Sequence, residues 1–255
     1  FGADHKITDL LYLCHAHTQY GVDCSNIFEM IRSRYLEIRD QLGVELDLET
    51  EFAALKSGLD RKMVSQDELA SRGEYFSAKL MAAYLGFAFV DAADWVRFKY
   101  DGTVDQTATY ELLKQLDKGI GMVIPGFYGR MPDGKIRTFS RGGSDITGAL
   151  AAAALNADVY ENWTDVSGIL MADPRIVDNP ATIPEVTYDE LRELSYSGAQ
   201  VLHEGTIFPV RPTELITCPS WSPPRPLPRA CIPSWRTSRR SSSPTPSPST
   251  TRLPW

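Results

Sequence analysis

Short apolar runs alternate with stretches of helical periodicity through the first two hundred residues, and this alternation limits the fold more than any other feature of the chain. Ile27, Ile31, Tyr35, Ile38 and Leu42 recur at helical spacing after Ser25, and Gly43 supplies a stop. Ser65 and Glu68 form a capping box that predicts a second helix through Leu69, Phe76, Leu80 and Tyr84, ending at Gly86. FAFVDAADW reads as a buried strand, and Thr107 to Leu116 as a third helix. GMVIPGF is a further apolar strand and IRTFS a shorter one, before an alanine-rich helix from Asp145 to Leu155. A strand DVYENW and a helix from Tyr188 to Leu202 complete the series. Strands and helices in alternation predict an α/β fold whose mostly parallel sheet is covered on both faces.

Composition sets the outer limits. The chain has 255 residues, 43% hydrophobic and 23% charged, which suffices for one large domain or two small ones. No apolar stretch approaches the ~18 residues that a membrane-spanning helix needs, and FGADHKITD has neither the basic region nor the apolar run of a signal peptide. A cytoplasmic chain is therefore expected, with neither membrane nor nucleic acid as partner. The charge supports the second exclusion: residues 1 to 211 hold 20 basic and 32 acidic groups, a net of −12. Cys14, Cys24, Cys218 and Cys231 form no CxxC pair and suit a reducing compartment without a disulfide framework.

Beyond Arg211 the character of the chain changes. Residues 212–255 hold eleven of the seventeen prolines, six arginines, one acid and no glycine. Such a stretch reads either as a disordered Pro/Ser linker or as a GC-rich gene translated out of frame, and the abruptness of the change favours the second. Under both readings a domain at 1–211 is followed by a tail at 212–255 that packs no domain of its own.

The strongest chemical signal is Ser140 to Thr147, SRGGSDIT, between a strand and the alanine-rich helix. Gly142 and Gly143 let the backbone approach a ligand, Ser144 and Asp145 can cap the helix, and its N-terminal N–H groups suit an anion. Arg141 adds a planar fork for a carboxylate or phosphate. A capped helix after a glycine turn has the same letters, so this segment alone leaves both readings open. Other patterns resolve more readily. Gly129 to Lys135 nearly spells a phosphate-binding loop, but Ile136 replaces the required Ser or Thr, and Pro132, Asp133 and Gly134 signal a hairpin turn. His15 and His17, two apart on a helix, face different sides and make no metal pair.

Six ordered segments, KITDLLYL, ASRGEYFSAKL, VIPGFYGR, TFSRGGSDITGALAAAAL, ENWTDVSGILMADPRIV and YSGAQVLHEGTIFPV, cover most of residues 6 to 210. On these the chain resembles the catalytic domain of the aspartate kinases, within the amino-acid kinase family. The resemblance implies a three-layer α/β/α sandwich and transfer of phosphate from MgATP to the β-carboxylate of L-aspartate. It implies aspartate contacts at Thr8, Glu74, Phe127, Arg141, Gly142 and Ser144, and an acidic residue at the phosphoryl-transfer centre, Asp145. Nucleotide contacts fall on Thr164, Asp165 and Arg175, with Leu170 and Gln200 where members often carry Tyr and Lys. Mg2+ would accompany ATP, with no separate protein metal site. The intact family enzyme is expected to be a homo-oligomer.

Departures accompany the matches. The family's Lys-Phe-Gly-Gly strand has no counterpart before Thr8, and the Pro/Ser tail stands where paired regulatory domains would follow. The chain as written is therefore expected to turn over poorly, because the lysine is a positive charge aimed at the transferring phosphoryl group. The alternatives are another amino-acid kinase, acting on glutamate, acetylglutamate or a nucleotide, and a non-catalytic remnant.

Overall fold

The structure is a computed structural model that describes residues 6–164 without a break, and then 170–173, 176–181, 183, 185–187, 190, 193–194, 214–219 and 252–254. The chain forms two compact units, residues 1–144 and 145–255. The sequence reading treats residues 1–211 as one domain, whereas this division falls inside the SRGGSD segment.

The first unit is built on four helices, α1 (Ile7–Gln19), α2 (Ser25–Leu42), α3 (Glu49–Asp60) and α4 (Gln66–Leu85). The capping logic of the sequence is realised at α4, where the Ser65 side chain accepts a hydrogen bond from the Glu68 N–H at 3.1 Å. Gly43 and Gly86, with φ of 63° and 67°, close α2 and α4 in the left-handed conformation that glycine adopts without a Cβ clash. Helices α1 and α3, which the hydrophobic pattern did not single out, complete the core.

That core is aromatic. Phe52 of α3 stacks on Phe76 of α4 at 4.2 Å between ring centres and meets Phe28 of α2 edge-on at 6.0 Å. Tyr35 of α2 lies 5.8 Å from Phe52 and 5.6 Å from Phe76, and all four rings are buried. The Tyr35 hydroxyl donates to the Gly73 carbonyl at 2.7 Å, so the one polar atom of this ring has a partner. Cys14 and Cys24 are free and buried in the same core, and burial pushes the Cys14 thiol up to about 12.

After α4 the chain enters β1 (Ala88–Phe89), α5 (Ala92–Trp95), α6 (Gln106–Leu116) and β2 (Met122–Val123). β1 and β2 pair in parallel, Ala88 with Met122 and Phe89 with Val123, as a strand–helix–strand crossover requires. FAFVDAADW is thus a strand only at its start. The Asp91 side chain accepts from the Ala93 N–H at 2.9 Å and opens the one-turn helix α5, because a capping carboxylate outcompetes continued pairing. β3 (Tyr128–Arg130) and β4 (Ile136–Thr138) follow as an antiparallel hairpin, with Tyr128 opposite Thr138.

Helix α7 (Gly143–Ala154) leads into the second unit, in which β5 (Val159–Thr164) pairs in parallel with β7 (Glu214–Pro219). β6 (Glu185–Thr187) pairs antiparallel with β8 (Arg252–Pro254). Both β7 and β8 fall beyond Arg211, where the composition predicts no packed domain. ELITCP is itself a β-favouring run, so the shift to Pro- and Ser-rich chain sets in only after Pro219. Most of the helix expected from Tyr188 to Leu202 lies outside the described residues. Among the described residues no helix is long and apolar enough to cross a membrane, and no group of His, Cys, Asp and Glu could hold a metal ion.

Because Phe52 is 1% exposed at the centre of the stack, Phe52→Ala is expected to cost about 3 to 5 kcal/mol of unfolding free energy. Tyr100→Ala, at a position 82% exposed, is expected to stay within about 0.5 kcal/mol. Urea unfolding of the two variants beside the parent checks the pair; equal losses would mean that the stack does not organise the first unit.

Candidate active site

Helix α4 is the beam on which the first unit mounts its candidate side chains. Near its start, the Asp67 carboxylate accepts a hydrogen bond from the Thr138 hydroxyl at 2.9 Å, tying α4 to the last residue of β4. Two turns on, Gly73 is buried where α1 crosses: a Cβ there would lie 3.3 Å from Ile7 Cγ2 and 3.5 Å from Leu11 Cδ1. The bare backbone at Gly73 is what lets the helices meet this closely, and the residues that follow Ile7 and Gly73 are Thr8 and Glu74. Thr8 is half-buried. Glu74 is exposed as a residue, yet desolvation by the surrounding protein raises its carboxyl pKa above the ordinary range.

The hairpin brings the second group of residues together. Its turn is fastened by Met131 N–H to Lys135 carbonyl at 2.9 Å and by the Asp133 carboxylate accepting from Lys135 N–H at 3.1 Å, with Gly134 at φ 87°. The near phosphate-binding pattern from Gly129 to Lys135 is therefore a hairpin, as Pro132, Asp133 and Gly134 predict. At the open end, Phe139 N–H donates to the Phe127 carbonyl at 2.9 Å, so PGF and SRGGS leave the hairpin side by side.

These two loops interlock. A Cβ on Gly143 would sit 2.7 Å from both Cα and Cβ of Phe127, and one on Gly126 would sit 2.9 Å from Ser144 Cα. Each glycine is required by close approach of backbone to backbone. Phe127 itself adopts φ 66°, which a bulky L residue takes up only when its surroundings force it, and Gly142 at φ 58° turns the chain into α7. Helix α7 begins at Gly143, so Ser144 and Asp145 lie within its first turn. They were expected as caps; the left-handed turn at Gly142 starts the helix earlier and places both side chains one step inside. Arg141 is exposed and forms no salt bridge among the described residues.

A cavity of about 640 Å³ opens between the start of α4 and β4, lined in part by Asp67, Phe98, Arg137, Thr138, Phe139 and Ser140. It ends one residue before Arg141, and Thr8, Glu74 and Phe127 do not line it. The Asp67–Thr138 hydrogen bond carried no sequence signal, since the partners are 71 positions apart.

In the second unit, Asp145 is half-buried in the first turn of α7 and Thr164 ends β5. Leu170 is half-buried, and the Asp173 carbonyl accepts from the N–H groups of Ile176 and Val177 at 2.9 and 3.0 Å. Asp165, Arg175 and Gln200 lie outside the described residues. The structure thus gathers Phe127, Gly142 and Ser144 into one interlocked pair of loops and sets Thr8 and Glu74 beside the α1–α4 crossing. The fastening at Asp67 links α4 to the hairpin strand that leads into SRGGS.

Two substitutions test this architecture. Gly143→Ala puts a methyl group into Phe127 and is expected to cost about 1 to 3 kcal/mol, despite the better helix propensity of alanine. A stability equal to or above the parent in urea melts would show that the loops do not interlock. For Glu74, a folded pKa above the unfolded one means that ionisation costs stability above the folded pKa, a cost absent below the unfolded pKa. Glu74→Gln is therefore expected to raise the melting temperature near pH ~7 and to leave it unchanged near pH ~3. A lower melting temperature at the higher pH would mean that the carboxylate is stabilised by the fold.

The sequence matches the amino acid kinase family over residues 31–216. It is 35% identical over 223 residues to aspartokinase 3 of Bacillus subtilis, a match that covers 82% of this chain and 49% of that protein. Among solved structures, Clostridium acetobutylicum aspartate kinase superposes with a TM-score of 0.77 at 47% identity, over 84% of this chain and 49% of that one. Escherichia coli aspartokinase III, crystallised with aspartate and ADP, superposes with a TM-score of 0.70 at 27% identity, over 84% and 52% of the two chains. The chain spans about half the length of these three relatives. With the expected α/β architecture and the interlocked PGF and SRGGS loops in place, the chain belongs to the amino acid kinase family.

Proposed function

We propose that this chain carries the catalytic segment of an aspartate kinase, which transfers the γ-phosphoryl group of ATP to the β-carboxylate of L-aspartate. The observation that carries the reading is the interlock of PGF with SRGGS, in which a strained Phe127 and two close-packed glycines fix the backbone beside an exposed arginine. Strain of this kind persists where positioning matters, and positioning is the main demand of phosphoryl transfer. The resemblance to a protein crystallised with aspartate and ADP supports the choice of substrates.

In this reading Arg141 grips the α-carboxylate of aspartate through paired N–H bonds, and Glu74 receives its ammonium group. The raised pKa of Glu74 suits such a role, because an arriving cation restores the charged form that burial disfavours. Thr8, Phe127, Gly142 and Ser144 shape the remaining walls. With both ends of the amino acid held, a β-carboxylate oxygen is free to attack the γ-phosphorus; a P–O bond forms to aspartate, the bond to the β,γ-bridging oxygen breaks, and ADP leaves.

Thr164, Asp165, Leu170, Arg175 and Gln200 are assigned to the nucleotide. Asp145, an acid in the first turn of a helix whose N-terminal N–H groups favour phosphate oxygens, would help to organise the phosphoryl-transfer centre, where Mg2+ would arrive with the nucleotide. The cation would neutralise charge on the transferring group.

Trapping of acyl phosphate as hydroxamate tests the substrate assignment. In a chain completed with a family-type Lys-Phe-Gly-Gly strand, ATP-dependent hydroxamate is expected with L-aspartate and not with L-glutamate, and the reverse preference would overturn the assignment. Arg141→Gln and Glu74→Gln are each expected to weaken aspartate by about 1.5 to 3 kcal/mol while leaving ATP affinity nearly unchanged. Equal losses for the two ligands would point to a damaged fold.

A further inference from the structure

Tyr160, in β5, was not singled out by any motif, yet it touches two positions in the first two turns of α7. Its hydroxyl donates to the Asp145 main-chain carbonyl at 3.4 Å. Its ring lies flush against Gly148, where a Cβ would stand 2.8 Å from the Tyr160 hydroxyl oxygen and 3.0 Å from Cε2. Asp145 and Gly148 are three residues apart and share one helix face, so a single phenol touches both. We infer that Tyr160 is a positioning residue for Asp145, holding the first turn of α7 so that the carboxylate keeps a fixed direction toward the transferring phosphoryl group. The inference rests on the role proposed for Asp145.

Three features support it. Tyr160 is anchored, since it sits in the parallel β5–β7 ladder opposite Leu215, with register fixed over six pairs from Val159–Glu214 to Thr164–Pro219. Its hydroxyl remains a donor: burial first, and then the Asp145 charge, push its pKa well above the ordinary tyrosine value. Finally, Gly148 is the one residue type that leaves room for the ring at this height of the helix. A phenylalanine would fill the same space, so the hydroxyl is the part that packing alone does not require. A carbonyl in the first turn already serves the helix ladder and has a second lone pair for the phenol.

Tyr160→Phe in the full chain separates position from packing. The variant is expected to lose about three- to tenfold in kcat for aspartyl phosphate formation, with aspartate KM held within about twofold. Hydrogen exchange of the backbone amides at the start of α7 is expected to rise by a similar factor, while the melting temperature shifts by less than about 2 °C. Unchanged exchange together with unchanged kcat would overturn the inference. So would a parallel fall of kcat, substrate affinity and melting temperature, which would reduce Tyr160 to a packing residue. If a parent chain completed with the Lys-Phe-Gly-Gly strand makes no acyl phosphate from aspartate, the functional reading fails by itself. The exchange measurement then still decides, since unaltered exchange in the variant overturns the hold on α7.

Discussion

The contact on which the candidate site of the first unit depends is the approach of Gly143 to Phe127, closer than any side chain would allow. It requires that the hairpin deliver its two ends side by side, which the Phe139–Phe127 backbone bond and the turn at Gly134 ensure. It also requires that Phe127 accept a left-handed backbone, a conformation whose strain of about 1 to 3 kcal/mol must be offset elsewhere. The offset is available in the aromatic core of α2, α3 and α4, where four buried rings hold α4 in place, and α4 in turn fastens β4 through Asp67 and Thr138. A rigid core thus supports a strained loop, and the strained loop presents the backbone near Arg141.

The fold was legible in the sequence wherever a local rule sufficed. Ser65 with Glu68, Gly43, Gly86 and the Pro132–Gly134 turn all act within a few residues, and each appears as the letters predict. The strand in FAFVDAADW was read too long because an aspartate cap at Asp91 and an apolar strand interior make opposite demands on the same residues. At Ser144 and Asp145 the error is smaller: both belong to the helix start, and only the conformation of Gly142 decides whether they cap it or follow the cap. What no local rule could supply are contacts between distant positions, such as Thr138 with Asp67 or Tyr35 with Gly73. The residues of the candidate site were assigned from long ordered motifs. Their mutual support was not legible, because it runs through residues that carry no chemistry of their own.

The same distinction bears on the stretch beyond Arg211. Composition averaged over residues 212–255 is dominated by its Pro- and Ser-rich majority, so the average hides the six residues at its start that still read as a strand. Glu214 to Pro219 pair along the whole of β5, and a ladder of that length orders both partners together. A boundary drawn from composition marks where a sequence stops resembling a packed domain on average.

Electrostatics completes the argument about Glu74. Desolvation by the surrounding protein raises the Glu74 pKa although the residue is exposed, and it forms no salt bridge among the described residues, so its charged form is disfavoured. A half-buried acid in the same unit avoids that cost: Glu51 of α3 is paired with Lys79 of α4 at 2.6 Å and accepts from the Tyr75 hydroxyl at 3.0 Å. A ligand ammonium that supplied the missing charge would recover the desolvation cost on binding, which makes the residue a better anchor for a cationic group than an acid already paired. Arg141 is exposed and forms no ion pair among the described residues. Opposite charges on Glu74 and Arg141 are what the proposed amino-acid substrate would require, and the left-handed backbone at Phe127 belongs to the loop that packs against Gly143 at the start of α7.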